Sequence, residues 1–436
     1  MAVHPPAGHQ NRAVVLGGGG SKGAYQIGVW QALRELGLDY RVVTGTSVGA
    51  LNGALMAQGE FDAAYDLWWN MDNTRVMEGI PSAEDTLDSR MAVYRAFVRE
   101  MVTKGGLDIS PLEETIRSIL DEEKLRSSGV KYGIVTVDMT SLKPARLFLD
   151  QMPPGSVADY MIASASCFPA FKPRTIEKAR FIDGGYYDNL PVEMAAQAGV
   201  ELCEIWAVDV DGIGVKRNYK PAVPLHTVRC CWDLGNFLIF EKDQSRRNIR
   251  LGYLDAMKEA GQLDGRAYAF PAGEGERFRL RYGGAMEDLS RRLLEPMGEK
   301  ARGAVENLVL ARVKGALRRR RLGDDLLLAA AETAGEVLGL DPTRRYTMEE
   351  FCDALGQRVR VERGRKGERD ITPDTLPEEG AGLGEALAGL GKELALLTVM
   401  ENLTQQLEGG EPFFRPEMLA AALPKELLAS LFLLIL

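Results

Sequence analysis

Apolar residues come first in short unbroken runs and later at helical spacing. Ala13-Val14-Val15-Leu16 is a run that stops at four glycines, as a buried strand does. Tyr25, Val29, Trp30, Leu33 and Leu36 then recur at helical intervals and end at Gly37, which predicts an amphipathic helix. Arg41-Val42-Val43-Thr44 reads as a second strand, with Gly45 opening a sharp turn into a helix over Ala50–Gln58. Residues 60–128 read as mainly helical. Tyr132–Val137 is a strong strand, Arg146–Leu149 a second one paired with it, and Ser156–Ala165 a helix. Phe181-Ile182 leads into Asp183-Gly184-Gly185, and Ile205–Val210 is a further buried strand. Arg266–Phe270 reads as a last short one. After residue 280 the pattern turns helical, with Thr347 and Glu350 spaced as a capping box.

Strands alternating with helices predict a three-layer α/β/α domain with a largely parallel central sheet, followed by a helical C-terminal region. The expected division is a disordered tail over 1–11, a catalytic domain over 12–280 and a helical region over 281–436. The polar stretch near 362–380, with Pro373 and Pro377, reads as an exposed loop.

Composition narrows this picture. The chain has 436 residues, enough for one large core and a smaller second unit. A net charge of -9 argues against a nucleic-acid partner, because neutralising phosphates needs clustered Lys and Arg. Arg318–Arg321 is one such cluster, but at helical spacing it reads as a solvated face. The five cysteines, at 167, 203, 230, 231 and 352, show neither disulfide nor zinc spacing. The N-terminal residues lack an apolar signal segment, and no apolar stretch is long enough to span a membrane. Cytoplasmic residence, with peripheral membrane association, is the resulting expectation. The apolar end Leu427–Leu436 is too short to cross a bilayer and is expected to dock on the catalytic domain.

Three segments carry candidate chemistry. In Gly17-Gly18-Gly19-Gly20-Ser21-Lys22-Gly23, between a strand and a helix, backbone amides can converge on one oxygen, either of a phosphate or of an oxyanion. In Gly45-Thr46-Ser47-Val48-Gly49 a serine has glycine at both ±2 positions between a strand and a helix. This is the pattern of a nucleophile elbow. In Asp183-Gly184-Gly185 a carboxylate at a strand end has two glycines after it, so another loop can approach closely.

Together, GGGGSKGAYQIGV (17–29), GTSVGALNG (45–53) and DGGYYDNLPV (183–192) resemble the patatin-like phospholipase family in order and separation. The resemblance covers residues 12–272. It implies a patatin-like fold and a Ser–Asp dyad in which Ser47 attacks the ester carbonyl and Asp183 accepts its proton. It also implies that the amides of Gly18, Gly19 and Gly20 form the oxyanion hole, and that Lys22, Gly23, Gly45, Gly49, Gly184 and Gly185 support these motifs. Lys22 departs from the family pattern, since many members carry Arg there; lysine keeps the charge but cannot bind an anion bidentately. The implied activity is hydrolysis of acyl esters, of phospholipid or lysophospholipid type, at a membrane or micelle surface. No cluster of metal ligands is visible in the sequence, so no cofactor and no calcium requirement are expected.

Rival readings are weaker. The histidines are His4, His9 and His226, so a Ser–His–Asp triad would need His226, in Pro224-Leu225-His226-Thr227-Val228, which resembles a packed segment. Asp209 and Asp211 are rival bases without glycines beside them. Gly18, Gly20 and Gly23 also fit a dinucleotide fingerprint, but Glu35 and Asp39 are not at the end of a second strand. A non-catalytic lipid-binding or regulatory protein on the same fold is the alternative function.

Overall fold

The structure, a computed structural model, describes residues 11–82, 87–104, 106–294, 326–366 and 391–436, with 299 and 303 between. It divides into two compact units, Met1–Ala260 and Gly261–Leu436.

The first unit is built on a mixed sheet: β1 (Arg12–Leu16), β2 (Val42–Thr46), β3 (Lys131–Asp138), β4 (Lys143–Phe148), β5 (Arg174–Ile176), β6 (Ala179–Asp183), β7 (Glu204–Asp209) and β8 (Leu225–Arg229). The helices are α1 (Ala24–Glu35), α2 (Val48–Gln58), α3 (Phe61–Trp69), α4 (Leu87–Lys104), α5 (Ser110–Ile119), α6 (Glu122–Ser127), α7 (Val157–Ser164), α8 (Val192–Ala196) and α9 (Lys242–Glu259). The centre is parallel, as expected: β1 lies between β2 and β7, β3 flanks β2, and β8 flanks β7. The other side is antiparallel, where β3 pairs β4 and β6, and β6 pairs β5.

The register of β3 positions the site. Residues 133–135 pair with β2 on one edge and β4 on the other, so these two strands take opposite edges. Residues 136–138 pair with β4 and β6, so β6 continues the edge that β2 leaves. β2 ends with Thr46 opposite Val135, and β6 ends with Asp183 opposite Thr136. Two antiparallel strand ends therefore meet on consecutive residues of one strand.

Packing on α1 is tight. A Cβ on Gly28 would lie 1.8 Å from the Ile249 carbonyl oxygen, and one on Gly252 would lie 2.0 Å from that of Tyr25. The backbones of α1 and α9 thus touch, which only glycine at both positions allows. Tyr25 donates to Asp255 at 2.7 Å across the same contact.

In the second unit, the predicted strand over 266–270 is not a strand of the main sheet. A two-residue pair forms instead, β9 (Leu263–Asp264) with β10 (Phe270–Pro271), and the amides of Arg266, Ala267 and Tyr268 all donate to Glu332 Oε1. That carboxylate, on the helix Leu326–Val337, satisfies three donors and holds the loop as a turn. Thr347 and Glu350 make the expected capping box, with Glu350 N to Thr347 Oγ1 at 3.2 Å and Thr347 N to Glu350 Oε2 at 2.9 Å. The helix they open runs to Lys366, so the start of the predicted loop is helical; residues 367–390 and Arg318–Arg321 lie outside the described residues. The apolar end packs within its own unit. Helix Pro424–Leu433 buries Leu427, Leu428, Ala429 and Phe432 within this unit, with Leu427 in a cluster that also holds Val399, Leu403 and Leu419. Among the described residues no helix is long and apolar enough to cross a membrane.

Candidate active site

Ser47 stands between β2 and α2 with φ 54° and ψ -128°. A non-glycine residue in this region stores of order 1–3 kcal/mol, which the surroundings must hold in place. They do so in two ways. A Cβ at Gly45 would fall 2.2 Å from the Gly49 carbonyl oxygen, and one at Gly49 would fall 2.2 Å from that of Leu16, so the turn closes only with glycine at both positions. The Ser47 amide also donates to Ser164 Oγ at 2.9 Å, and that hydroxyl donates to the Val135 carbonyl at 2.7 Å. Ser164 is fully buried and clamps the elbow to β3.

Asp183 ends β6, is 7% exposed, and lines the same cavity as Ser47. Gly185 N donates to Asp183 Oδ1 at 2.7 Å, and the Asp183 amide donates to the Ser166 carbonyl at 2.9 Å. Burial pushes the carboxyl up to about 6, opposed by the Gly185 amide and the Ser47 hydroxyl. Gly184 is confined as well: a Cβ there would lie 2.1 Å from the Val135 carbonyl oxygen.

The glycine loop faces this pair. Gly18 N donates to the Asn189 carbonyl at 3.1 Å, and Asn189 Nδ2 returns a bond to the Gly18 carbonyl at 3.1 Å. The Gly18 amide is therefore already engaged, contrary to its expected place in an oxyanion hole. Gly19 and Gly20 line the pocket with Ser47 and Asp183, and among the described residues no acceptor is seen for their amides. Gly20 has φ 56°, and a Cβ there would lie 2.0 Å from the Phe237 carbonyl oxygen. Behind the loop runs a buried polar chain. Gln26 donates to the Gly17 carbonyl at 2.6 Å, Asn52 donates to Gln26 at 2.8 Å and to the Gly23 carbonyl at 3.1 Å, and Trp68 donates to Asn52 at 2.8 Å. Lys22 donates to the Asp211 carbonyl at 3.1 Å, and a Cβ on Gly23 would meet Val48 and Trp68.

Two cavities meet at Ser47. One, of about 80 Å³, is lined by Gly19, Gly20, Asp183, Gly185, Asn189 and Tyr186 among others. The other, of about 60 Å³, runs among apolar side chains including Leu55, Leu67, Trp68, Met71, Leu112 and Ile116. Phe171 and Phe240 border both.

The rival residues are elsewhere. Both ring nitrogens of His226 face carboxylates, Nδ1 to Glu259 at 3.3 Å and Nε2 to Glu204 at 3.4 Å, and the ring stacks on Trp206. It borders neither cavity at Ser47. His226→Ala is expected to keep ester turnover within about twofold, since it removes only partly exposed contacts away from Ser47; steady-state kinetics checks this. Asp209 is paired with Lys216 at 2.8 Å, and Glu35 accepts from Tyr253 at 2.8 Å. Among the described residues no group of three or more His, Cys, Asp or Glu side chains could hold a metal ion.

Sequence reasoning found the Ser47, Asp183 and glycine-loop segments but missed Ser164, Gln26 and Asn52. It also gave no sign of the Asn189 clamp on Gly18. The glycine loop, the serine elbow and the Asp-Gly-Gly turn thus gather at one cavity beside the mixed sheet. Residues 14–196 match the patatin-like phospholipase family model. It is similar to patatin-like phospholipase domain-containing protein 7 of Mus musculus, 31% identical over 206 residues, 45% of this chain and 13% of that protein. It is also similar to lysophospholipase NTE1 of Yarrowia lipolytica, 30% identical over 201 residues, 46% of this chain and 13% of that protein. The match thus spans about an eighth of the length of these relatives. Among solved structures, VipD from Legionella pneumophila aligns over 97% of this chain and 92% of its own at 14% identity, with a TM-score of 0.36.

Proposed function

We propose that this protein is a lipid acyl hydrolase that works through an acyl-enzyme on Ser47, with Asp183 as its base. The observation that carries the reading is a strained serine elbow that shares a cavity with a buried aspartate and with Gly19 and Gly20, next to an apolar cavity. Asp183 takes the Ser47 hydroxyl proton as Oγ attacks the ester carbonyl. The oxyanion receives the amides of Gly19 and Gly20, a smaller donor set than the three glycines of the sequence reading. Collapse expels the alcohol, which takes the proton from Asp183. Water, deprotonated by the same carboxylate, then releases the fatty acid and restores Ser47. The acyl chain occupies the cavity among Leu55, Trp68, Leu112 and Ile116, and the polar part of the substrate faces the mouth.

The base must be ionised to act, and its carboxyl titrates near 6. For a soluble ester, kcat/KM is therefore expected to rise about tenfold per pH unit up to about pH 6 and to level off above it. A profile flat down to about pH 4 would remove Asp183 from that role. The direct test is incubation with a fluorophosphonate in EDTA, followed by intact mass. One adduct per chain supports the hydrolase, and phospholipid hydrolysis then defines the substrate. No adduct favours a lipid-binding protein without catalysis.

A further inference from the structure

Among the described residues of the first unit, large apolar side chains are exposed at few places, and four of them gather at the mouth of the Ser47 cavity. Phe168 is 40% exposed, Tyr186 48%, Ile213 73% and Val215 50%. Tyr186 and Ile213 line the cavity itself. The Tyr186 hydroxyl donates to the Phe168 carbonyl, which ties the residue after Cys167 to the rim. Val215 is fixed by two backbone bonds, its amide to the Gly185 carbonyl at 2.8 Å and its carbonyl from the Asn189 amide at 2.6 Å. A Cβ on Gly212 would lie 1.8 Å from the Gly18 carbonyl oxygen, so the loop that presents Ile213 is pressed against the glycine loop. These side chains therefore stand on fixed backbone, and exposing them costs hydration that something must recover.

Charge accompanies the patch. Asp209 and Asp211 are engaged by Lys216 and Arg229. Lys22 donates to the Asp211 carbonyl, and the Arg217 guanidinium lies 3.8 Å from the centre of the Tyr187 ring. With Asp188, whose charge Arg217 faces, the cluster holds four cations against three carboxylates, a small excess of positive charge in a chain of net charge -9.

We infer that this rim docks the protein on an anionic phospholipid bilayer, with Phe168, Tyr186, Ile213 and Val215 entering the headgroup boundary and Lys22 and Arg217 meeting lipid phosphates. The inference rests on the proposed hydrolase, whose substrate would then pass from the bilayer into the cavity without crossing open water. Apolar burial and attraction of Lys and Arg to anionic lipid act together in such contacts.

The test is flotation of the full chain with phosphatidylcholine vesicles, with and without phosphatidylglycerol, beside fluorophosphonate labelling and turnover of a soluble short-chain ester. Wild type is expected to float with the anionic vesicles and to lose binding as salt rises. Val215→Asp is expected to weaken flotation roughly tenfold while soluble-ester turnover stays within about twofold. Ile213→Asp, read by flotation alone, should weaken it as much, and Arg217→Gln should reduce only the preference for anionic lipid. Wild type that labels but does not float, or aspartate variants that float as wild type does, would overturn the docking surface and leave the hydrolase standing. Wild type that floats but does not label would refute the hydrolase and leave the surface standing.

Discussion

Ser47→Ala is expected to abolish the fluorophosphonate adduct and to lower kcat for any ester by roughly 10⁴-fold or more, because it removes the nucleophile of the proposed acyl-enzyme. The fold should survive. Alanine keeps the left-handed backbone at φ 54°, the bond from the residue 47 amide to Ser164 does not involve the side chain, and Gly45 and Gly49 still close the turn. Ser47→Gly separates chemistry from strain. It should be equally inactive but melt higher than Ser47→Ala, since glycine adopts this region without a Cβ penalty. Intact mass, ester kinetics and thermal melting of the three proteins decide this. Turnover retained in the alanine variant would end the Ser47 mechanism.

Asp183→Asn should be nearly as damaging, by about 10³- to 10⁴-fold in kcat, because the base is lost while its shape remains. Its effect on stability has the opposite sign. Burial raises the carboxyl from 3.8 to about 6, so the fold holds the proton more tightly than the unfolded chain does. The group's contribution is fully present below about pH 4 and is lost as pH rises through about 6. Tighter proton binding of that order corresponds to roughly 3 kcal/mol. The asparagine variant escapes this penalty and can keep the bond from Gly185 N to Oδ1. It is therefore expected to melt above wild type near pH 8 and to converge with it near pH 4. A variant that melts lower at both pH values would mean that Asp183 is chiefly structural.

Much of this site was legible because glycine cuts the apolar runs so sharply. Leu16 and Thr46 end buried strands, and the residues after them cannot continue the ladder, so Gly17–Gly20 and Ser47 had to be turns. Asp183 was legible for the same reason. Ser164 was not, because a buried serine at the end of a helix has the same letter as a solvated one, and its partners come from β3 and the elbow. Gln26 and Asn52 were hidden in helical stretches for similar reasons. β8 was missed because Leu225-His226-Thr227-Val228-Arg229 is a mixed edge strand in which only Val228 is deeply buried. The Gly18 amide shows a further limit, since a glycine-rich run reveals which amides can face a pocket but not which of them is already bonded.

The glycine contact between α1 and α9 bears on how the protein can be cut for production. The family match stops at residue 196, before β7 and α9. A fragment trimmed there would leave β1, now the middle of the sheet, with a bare edge of unpaired amides and carbonyls, which is a template for strand-to-strand aggregation. It would also strip α1 of the helix that covers Gly28 and Tyr25. The smallest piece worth expressing therefore ends near Ala260. On the ribosome, likewise, the sheet stays open-sided until the chain past Glu259 has emerged.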